Sequence, residues 1–357
     1  MKPADIRSRR LLNQQLISSR FTTPAELVHW MAAMQAQEYA MSKWAIGLRL
    51  PGSTDADIEE AFNNGHILRT HLMRPTWHFV APQDIRWLLQ LTAPRVHQFN
   101  GFMYRKCGMD KKIFKRANDI FIKMLEGGTH LTRDTLNEGL KKKKIITDGV
   151  GLSCIMMQAE LDGIVCGGPR QGKQFTYALL EERVPAVKPF SREEALAALT
   201  SQYFKSRGPA TLQDYATWCG LTITDAKKGM AMLGKEFEHY LMDGKEYVFS
   251  PMATPPEKKT QASFLMPDYD EYGMGYKDRS AIIDPDNTPK QMSRDNPIFN
   301  RMIIIDGQIA GTWQRVVKGK TVMVETFPFS PLNKTQSKEL EKAVKRFLEF
   351  TLGDKSK

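Results

Sequence analysis

Two glutamines separated by one small residue, Gln35-Ala36-Gln37, stand at the end of an apolar segment and are followed by Glu38. A carboxamide offers a carbonyl acceptor and two N–H donors without carrying charge. Two of them on one side of the chain can hold a water molecule and face a developing cation. On a helix each residue turns the chain by about 100°, so Gln35 and Gln37 point roughly 200° apart. In an extended segment they share a side, roughly 6.6 Å apart, with Ala36 between them. The stretch from Thr23 to Met34 reads as a helix, with Thr23 as N-cap, Pro24 at the first helical position and Glu26 in the first turn. Leu27, Trp30, Met31 and Met34 recur on its core-facing side. A helix that ends near Met34 leaves the two glutamines extended. Glutamines in such a place also cap carbonyls or face water, so the pair alone decides nothing.

A second stretch gives the pair its context. Arg69 to Val80 contains Arg74, Thr76 and His78 at alternate positions, and is followed by Ala81-Pro82-Gln83-Asp84-Ile85-Arg86-Trp87. Together with Gln35-Ala36-Gln37, these residues resemble the AlkZ-like DNA glycosylases, a family of tandem winged-helix proteins. That family carries a glutamine-apolar-glutamine motif after its second helix, and a related branch has aspartate in the last place. Its Arg-x-Thr-x-His hairpin is matched by Arg74, Thr76 and His78, although Pro75 stands where glycine is expected. The resemblance continues through Asp270-Glu271-Tyr272 and Gly311-Thr312-Trp313, and so covers most of the chain.

The resemblance implies an enzyme that hydrolyses N-glycosidic bonds in damaged DNA. Ordinary glycoside hydrolysis uses two carboxylates, one to protonate the leaving group and one to activate water or to attack. The glutamine motif has no such pair. A purine alkylated at N7 already carries positive charge and leaves without an acid, so the barrier falls on the oxocarbenium-like sugar and on placing water. Gln35 and Gln37 are therefore the expected catalytic residues, and cationic N7-alkylpurines, bulky and crosslinked adducts included, the expected substrates. Glu38 is the rival general base, although in an extended segment it points away from Gln37. Glu38, Arg74, Thr76 and His78 are the candidate pocket residues. The rival of a different class is a DNA-binding regulator or architectural protein that cleaves nothing.

The 357 residues allow two to four small domains, and 41% hydrophobic residues suffice for packed cores. No apolar run approaches the roughly 20 residues that cross a bilayer, and Met1-Lys2-Pro3-Ala4-Asp5 lacks the apolar core of a signal peptide. A cytoplasmic monomer is expected. Cys107, Cys154, Cys166 and Cys219 show no metal-type spacing, and neither do His66, His71 and His78. No metal and no cofactor is expected. Asp268, Asp270 and Glu271 read as structural hydrogen-bonding groups in preference to cation ligands.

A formal charge of +11 favours a polyanionic partner, which the resemblance implies is double-stranded DNA with alkylated bases. The charge is local. Residues 1–50 hold 7 cations against 3 anions and residues 101–150 hold 12 against 6, while residues 201–250 hold 6 of each. Lys141, Lys142, Lys143 and Lys144 form the sharpest run, and Arg170 and Lys173 sit in a glycine-rich loop, Gly168 to Lys173, suited to close approach to phosphates.

The expected fold class is α+β, with three tandem winged-helix units followed by a small C-terminal β-barrel or meander and a terminal helix. Helices at 4–17, 23–34 and 54–64 precede a hairpin turning near Arg74-Pro75, giving a first unit at 1–100. A second, at 101–185, has helices at 111–125, 132–140 and 151–161 before the basic wing. The third, at 190–255, has helices at 192–205, 211–219 and 224–233 before an Asp243-Gly244 turn, whose type marks a hairpin. Its zero net charge suggests scaffold more than reader. From 260 to 357 the pattern turns to β, with turns at Asp306-Gly307 and Lys318-Gly319-Lys320, and a basic amphipathic helix at 334–350 closes the chain.

Overall fold

The structure is a computed structural model, which describes residues 2–251, 262–283, 301–319 and 321–353. Lys320, the last residue of the expected Lys318-Gly319-Lys320 turn, lies outside them. The first segment runs α1 (Pro3–Asn13), α2 (Pro24–Trp30), β1 (Met34–Gln35), α3 (Tyr39–Gly47), α4 (Asp55–Asn63), β2 (Leu68–Leu72), β3 (Thr76–Val80) and α5 (Pro82–Lys106). The second runs α6 (Lys111–Leu125), β4 (Leu131–Thr132), α7 (Arg133–Lys142), α8 (Gly149–Leu161), β5 (Val165–Gln171), β6 (Gln174–Leu179) and α9 (Leu180–Arg183). The third holds α10 (Arg192–Arg207), α11 (Leu212–Cys219), α12 (Ile223–Ala231) and the hairpin β7 (Glu238–Met242) and β8 (Lys245–Phe249). The last holds β9 (Ser263–Leu265), α13 (Glu271–Met274), β10 (Met302–Ile305), β11 (Gln308–Lys318), β12 (Thr321–Pro328) and α14 (Lys334–Leu352).

The second helix is shorter than its sequence suggests. Thr23 and Glu26 form a reciprocal capping box at its start, as the residue types dictate. It stops at Trp30, because Ala32 adopts φ 58 and the Ala33 N–H turns back to the Met31 carbonyl at 2.7 Å. Only three residues then separate the helix from β1. That left-handed alanine redirects the chain so that Met34 and Gln35 pair antiparallel with Phe79 and His78 in a sheet of order β1-β3-β2.

The wing of the second segment differs from expectation as well. Gly168, Pro169 and Arg170 belong to strand β5, and the reversal is confined to Gly172-Lys173. Pro169 has no N–H for the ladder, and the register shifts between Gly168 and Gln171 to accommodate it. Gly172 supplies the left-handed conformation of the turn, φ 59. Asp243-Gly244 and Asp306-Gly307 turn as their types demand, with both residues of each pair at positive φ.

The C-terminal strands form a four-stranded antiparallel sheet of order β12-β11-β10-β9, whose edges stay open among the described residues. Its core is not its own. Trp44 of α3 packs edge-on against Phe347 of α14, Phe347 packs against Trp313 of β11, and a Cβ placed on Gly47 comes within 2.3 Å of the Phe350 ring. One hydrophobic core thus joins the helices of the first segment to the last, while a second joins β2 and α5 to α10, α11 and α12. Residues at opposite ends of the chain are thereby held rigidly together.

Candidate active site

The short strand that carries Gln35 and leads to Gln37 is fixed from three directions. Towards β3, the ladder continues past Gln35, because the Ala36 N–H donates to the Trp77 carbonyl at 2.8 Å. Towards β2, Arg69 Nε donates to the Ala36 carbonyl at 3.0 Å. From the C-terminal segment, a Glu271 oxygen accepts the Gln35 N–H at 2.9 Å. Ala36 is wholly buried and Gln35 is 8% exposed, whereas Gln37 is open to solvent. The strand itself ends at Gln35, and Gln37 lies in the bend that follows Ala36, so the extended run expected from the sequence stops short of the second glutamine. Arg74 Nη2 donates to Gln35 Oε1 at 3.4 Å, and the Trp77 N–H donates to Gln37 Oε1 at 3.4 Å. Gln37 thus ends the ladder with its own side chain.

Glu271, a motif residue near the other end of the chain for which sequence suggests no role beyond hydrogen bonding, holds this junction together. Its second oxygen accepts from Arg207 Nε at 3.0 Å, Arg207 Nη2 at 2.7 Å and Trp218 Nε1 at 3.0 Å. Burial pushes this carboxyl upward, but the Arg207 charge and hydrogen bonds, together with the Gln35 N–H, outweigh it and hold the group below the usual range. Arg207 also donates to the Met31 and Ala33 carbonyls, both at 2.8 Å, and so pins the turn that leads into β1. Asp270 binds Arg49 through both oxygens at 2.9 Å, and Asp268 binds Arg301 at 2.8 Å. Each acid that could have been a cation ligand is a structural partner of arginine. Among the described residues no group of three or more His, Cys, Asp or Glu is placed to hold a metal ion.

The hairpin motif lies beside the glutamines. His78, directly across the ladder from Gln35 on one side and from Thr70 on the other, is fully buried. Its Nδ1–H donates to the Thr76 carbonyl at 3.0 Å. Burial first, and the Arg74 charge second, push its pKa down to about 3, so the ring is neutral and Nε2 is an acceptor. His78 Nε2, Thr76 Oγ1, Thr70 Oγ1 and Arg74 Nε are buried without a hydrogen-bond partner among the described residues. All four belong to the β2–β3 hairpin that pairs with the Gln35 strand.

Glu38 has another occupation. It is the N-cap of α3, and its carboxylate accepts the Met41 N–H at 2.7 Å. The expected DNA contacts divide. Lys141, Lys142, Lys143 and Lys144 are exposed at the end of α7, where among the described residues only Lys141 has a carboxylate partner, Glu138 at 2.9 Å. Lys173 is exposed at the wing turn. Arg170 is not free in the way a loop position would imply. Its guanidinium lies over the Phe175 and Tyr39 rings at 4.2 and 5.0 Å, its backbone N–H binds Asn63, and it joins the wing to the first segment. His71, close to His78 in sequence, pairs instead with Glu160 of α8.

The family model described as DNA glycosylase AlkZ-like matches residues 28–350. An interstrand DNA cross-link repair glycosylase of Streptomyces sahachiroi is 21% identical over 335 residues, covering 89% of each chain. The solved structure of the Streptomyces sahachiroi DNA glycosylase AlkZ superposes with a TM-score of 0.79 at 19% identity, over 98% of this chain and 96% of that one, which shows a shared fold. The matched residues, 28–350, include both glutamines, the hairpin and Glu271, and the chain belongs to the AlkZ-like DNA glycosylase family.

Proposed function

We propose that this protein hydrolyses the N-glycosidic bond of cationic N7-alkylated purines in duplex DNA, using Gln35 and Gln37 to place water. The observation that carries this reading is that both glutamines are held at the β3 hairpin, Gln35 by Arg74 and Gln37 by the Trp77 N–H, beside acids that are already engaged. Glu38 caps a helix and Glu271 holds Arg207 and Trp218. A neutral leaving base needs a free acid, whereas a base already carrying positive charge does not. What remains is to orient water and to stabilise positive charge on the sugar, and fixed carboxamide oxygens serve both ends. Arg74 restrains the Gln35 oxygen, and a neutral His78 adds no charge opposed to the developing cation.

Water as the nucleophile makes the enzyme monofunctional. The relative's name, an interstrand cross-link repair glycosylase, supports extending the substrates to bulky and crosslinked adducts. Helices ahead of a hairpin in each of the first three segments support winged-helix units at 1–100, 101–185 and 190–255, with a half-barrel unit at 260–357. Lys141 to Lys144 and Lys173 are the phosphate contacts in this reading, and the protein acts as a monomer in the cytoplasm. Among the described residues no helix is long and apolar enough to cross a membrane. The test is release of free base from N7-alkylated duplex, measured beside duplex binding. Binding without release from any alkylated DNA would make the protein a regulator or architectural factor.

A further inference from the structure

The third segment, whose even balance of charge gives no sign of it, contains a cationic helix face that is exposed among the described residues. Helix α11 ends at Gly220, φ 70, and Thr222 caps α12 by accepting the Asp225 N–H at 3.0 Å. Two helices joined by so short a turn make a helix-turn-helix pair. The inner side of α12 is tight, since a Cβ on Gly229 comes within 2.1 Å of Thr200 Oγ1 and Ala226 is fully buried. Its outer side presents Thr224, Lys227, Lys228 and Ala231, all exposed, at the i, i+3, i+4, i+7 spacing of one helical stripe. The acid of the helix, Asp225, is withdrawn into a pair with Arg192 at 3.1 Å. The stripe therefore carries two lysines, two small residues and no anion.

The equivalent helices of the other segments are not available in this way. Helix α8 is buried along most of its length between the first and second segments, and α4 carries Asp55, Asp57, Glu59 and Glu60. We propose that the Thr224/Lys227/Lys228/Ala231 face of α12 docks in the major groove of duplex DNA, its lysines on phosphates and its small residues against base edges. A major groove about 12 Å wide admits a helix whose outward side chains are short or flexible. The turn before α12 is anchored to the site, because a Cβ on Gly220 comes within 2.6 Å of the Met73 carbonyl at the tip of the hairpin that carries Arg74. Duplex held on α12 thus lies at a fixed offset from Gln35.

This inference rests on DNA being the substrate, and its test is independent of catalysis. Binding of an undamaged duplex is measured as a function of salt for the wild-type chain, for Lys227→Gln/Lys228→Gln, and for Lys338→Gln/Lys342→Gln on α14, which removes the same charge elsewhere. The α12 pair should weaken binding on the order of tenfold at 0.15 M salt and reduce the slope of log affinity against log salt by about 2, close to 0.9 for each phosphate no longer neutralised. The α14 pair should change neither. An unchanged slope for the α12 variant, or an equal loss in the α14 variant, overturns the proposal. Absence of base release by the wild-type chain would instead remove the catalytic reading and leave this one standing.

Discussion

A carboxylate oxygen of Glu271 accepts the backbone N–H of Gln35 at 2.9 Å, across 236 residues of sequence. The same carboxylate holds Arg207, which in turn holds the Met31 and Ala33 carbonyls, so the entry to the glutamine strand is fixed by a buried ion pair. Replacing Glu271 by Gln leaves the Arg207 charge buried without its counter-ion. Loss of one partner of a buried pair costs roughly 3–5 kcal/mol. Urea unfolding of Glu271→Gln should show a loss of that size, and a change under about 1 kcal/mol would mean that the pair does not secure this junction.

The buried neutral His78 makes the protein acid-sensitive. Its pKa falls from 6.5 to about 3 on folding, so between those values the unfolded chain binds the proton and the folded chain does not. Stability is therefore full above pH 6.5 and drains away as the pH falls towards 3. At about 1.36 kcal/mol per pH unit, about 3 kcal/mol is lost between pH 6.5 and roughly pH 4.5. His78→Gln should be less stable than wild type near neutral pH and close that gap by about this amount on acidification to roughly pH 4.5. A gap of constant size at both pH values would show that His78 titrates normally.

Salt dependence tests the phosphate contacts proposed for the second segment. Substituting glutamine for Lys142, Lys143, Lys144 and Lys173, all exposed and none paired with a carboxylate among the described residues, should flatten log affinity against log salt by about 0.9 for each phosphate these lysines neutralise. Arg170→Gln should act differently, lowering stability with little change in slope, because its guanidinium packs on Tyr39 and Phe175. A slope altered by Arg170→Gln and unmoved by the four lysines would reverse that assignment.

What is legible in the sequence is local. The Thr23/Glu26 capping box, the Asp243-Gly244 and Asp306-Gly307 turns and the bounds of α6 follow from residue types within a few positions of one another, and the structure keeps them. The end of α2 is not legible, because the left-handed residue that breaks the helix is Ala32 and not glycine. Arg170 misleads for a similar reason, since glycines on either side suggest a loop where a bulged strand runs. The glutamine pair and the hairpin can be recognised as motifs. Their dependence on Glu271, Arg207 and Arg69 cannot, because those contacts join segments far apart in the chain and no local pattern encodes them.

The proposed chemistry stands on two neutral amides, and not a carboxylate, placing the attacking water. Single-turnover release of an N7-alkylated base from duplex DNA, measured side by side for Gln37→Ala, Gln37→Asp and Glu38→Gln, separates the two possibilities. Loss of one positioned polar group from a site lowers the rate about 10²-fold. Gln37→Ala should show that loss with duplex affinity held within a few fold. Gln37→Asp should keep measurable release, because a carboxylate still accepts from water. Glu38→Gln should release base at nearly the wild-type rate, since its side chain caps α3 through the Met41 N–H. Release abolished in Glu38→Gln and preserved in Gln37→Ala would contradict the assignment and make the carboxylate the base.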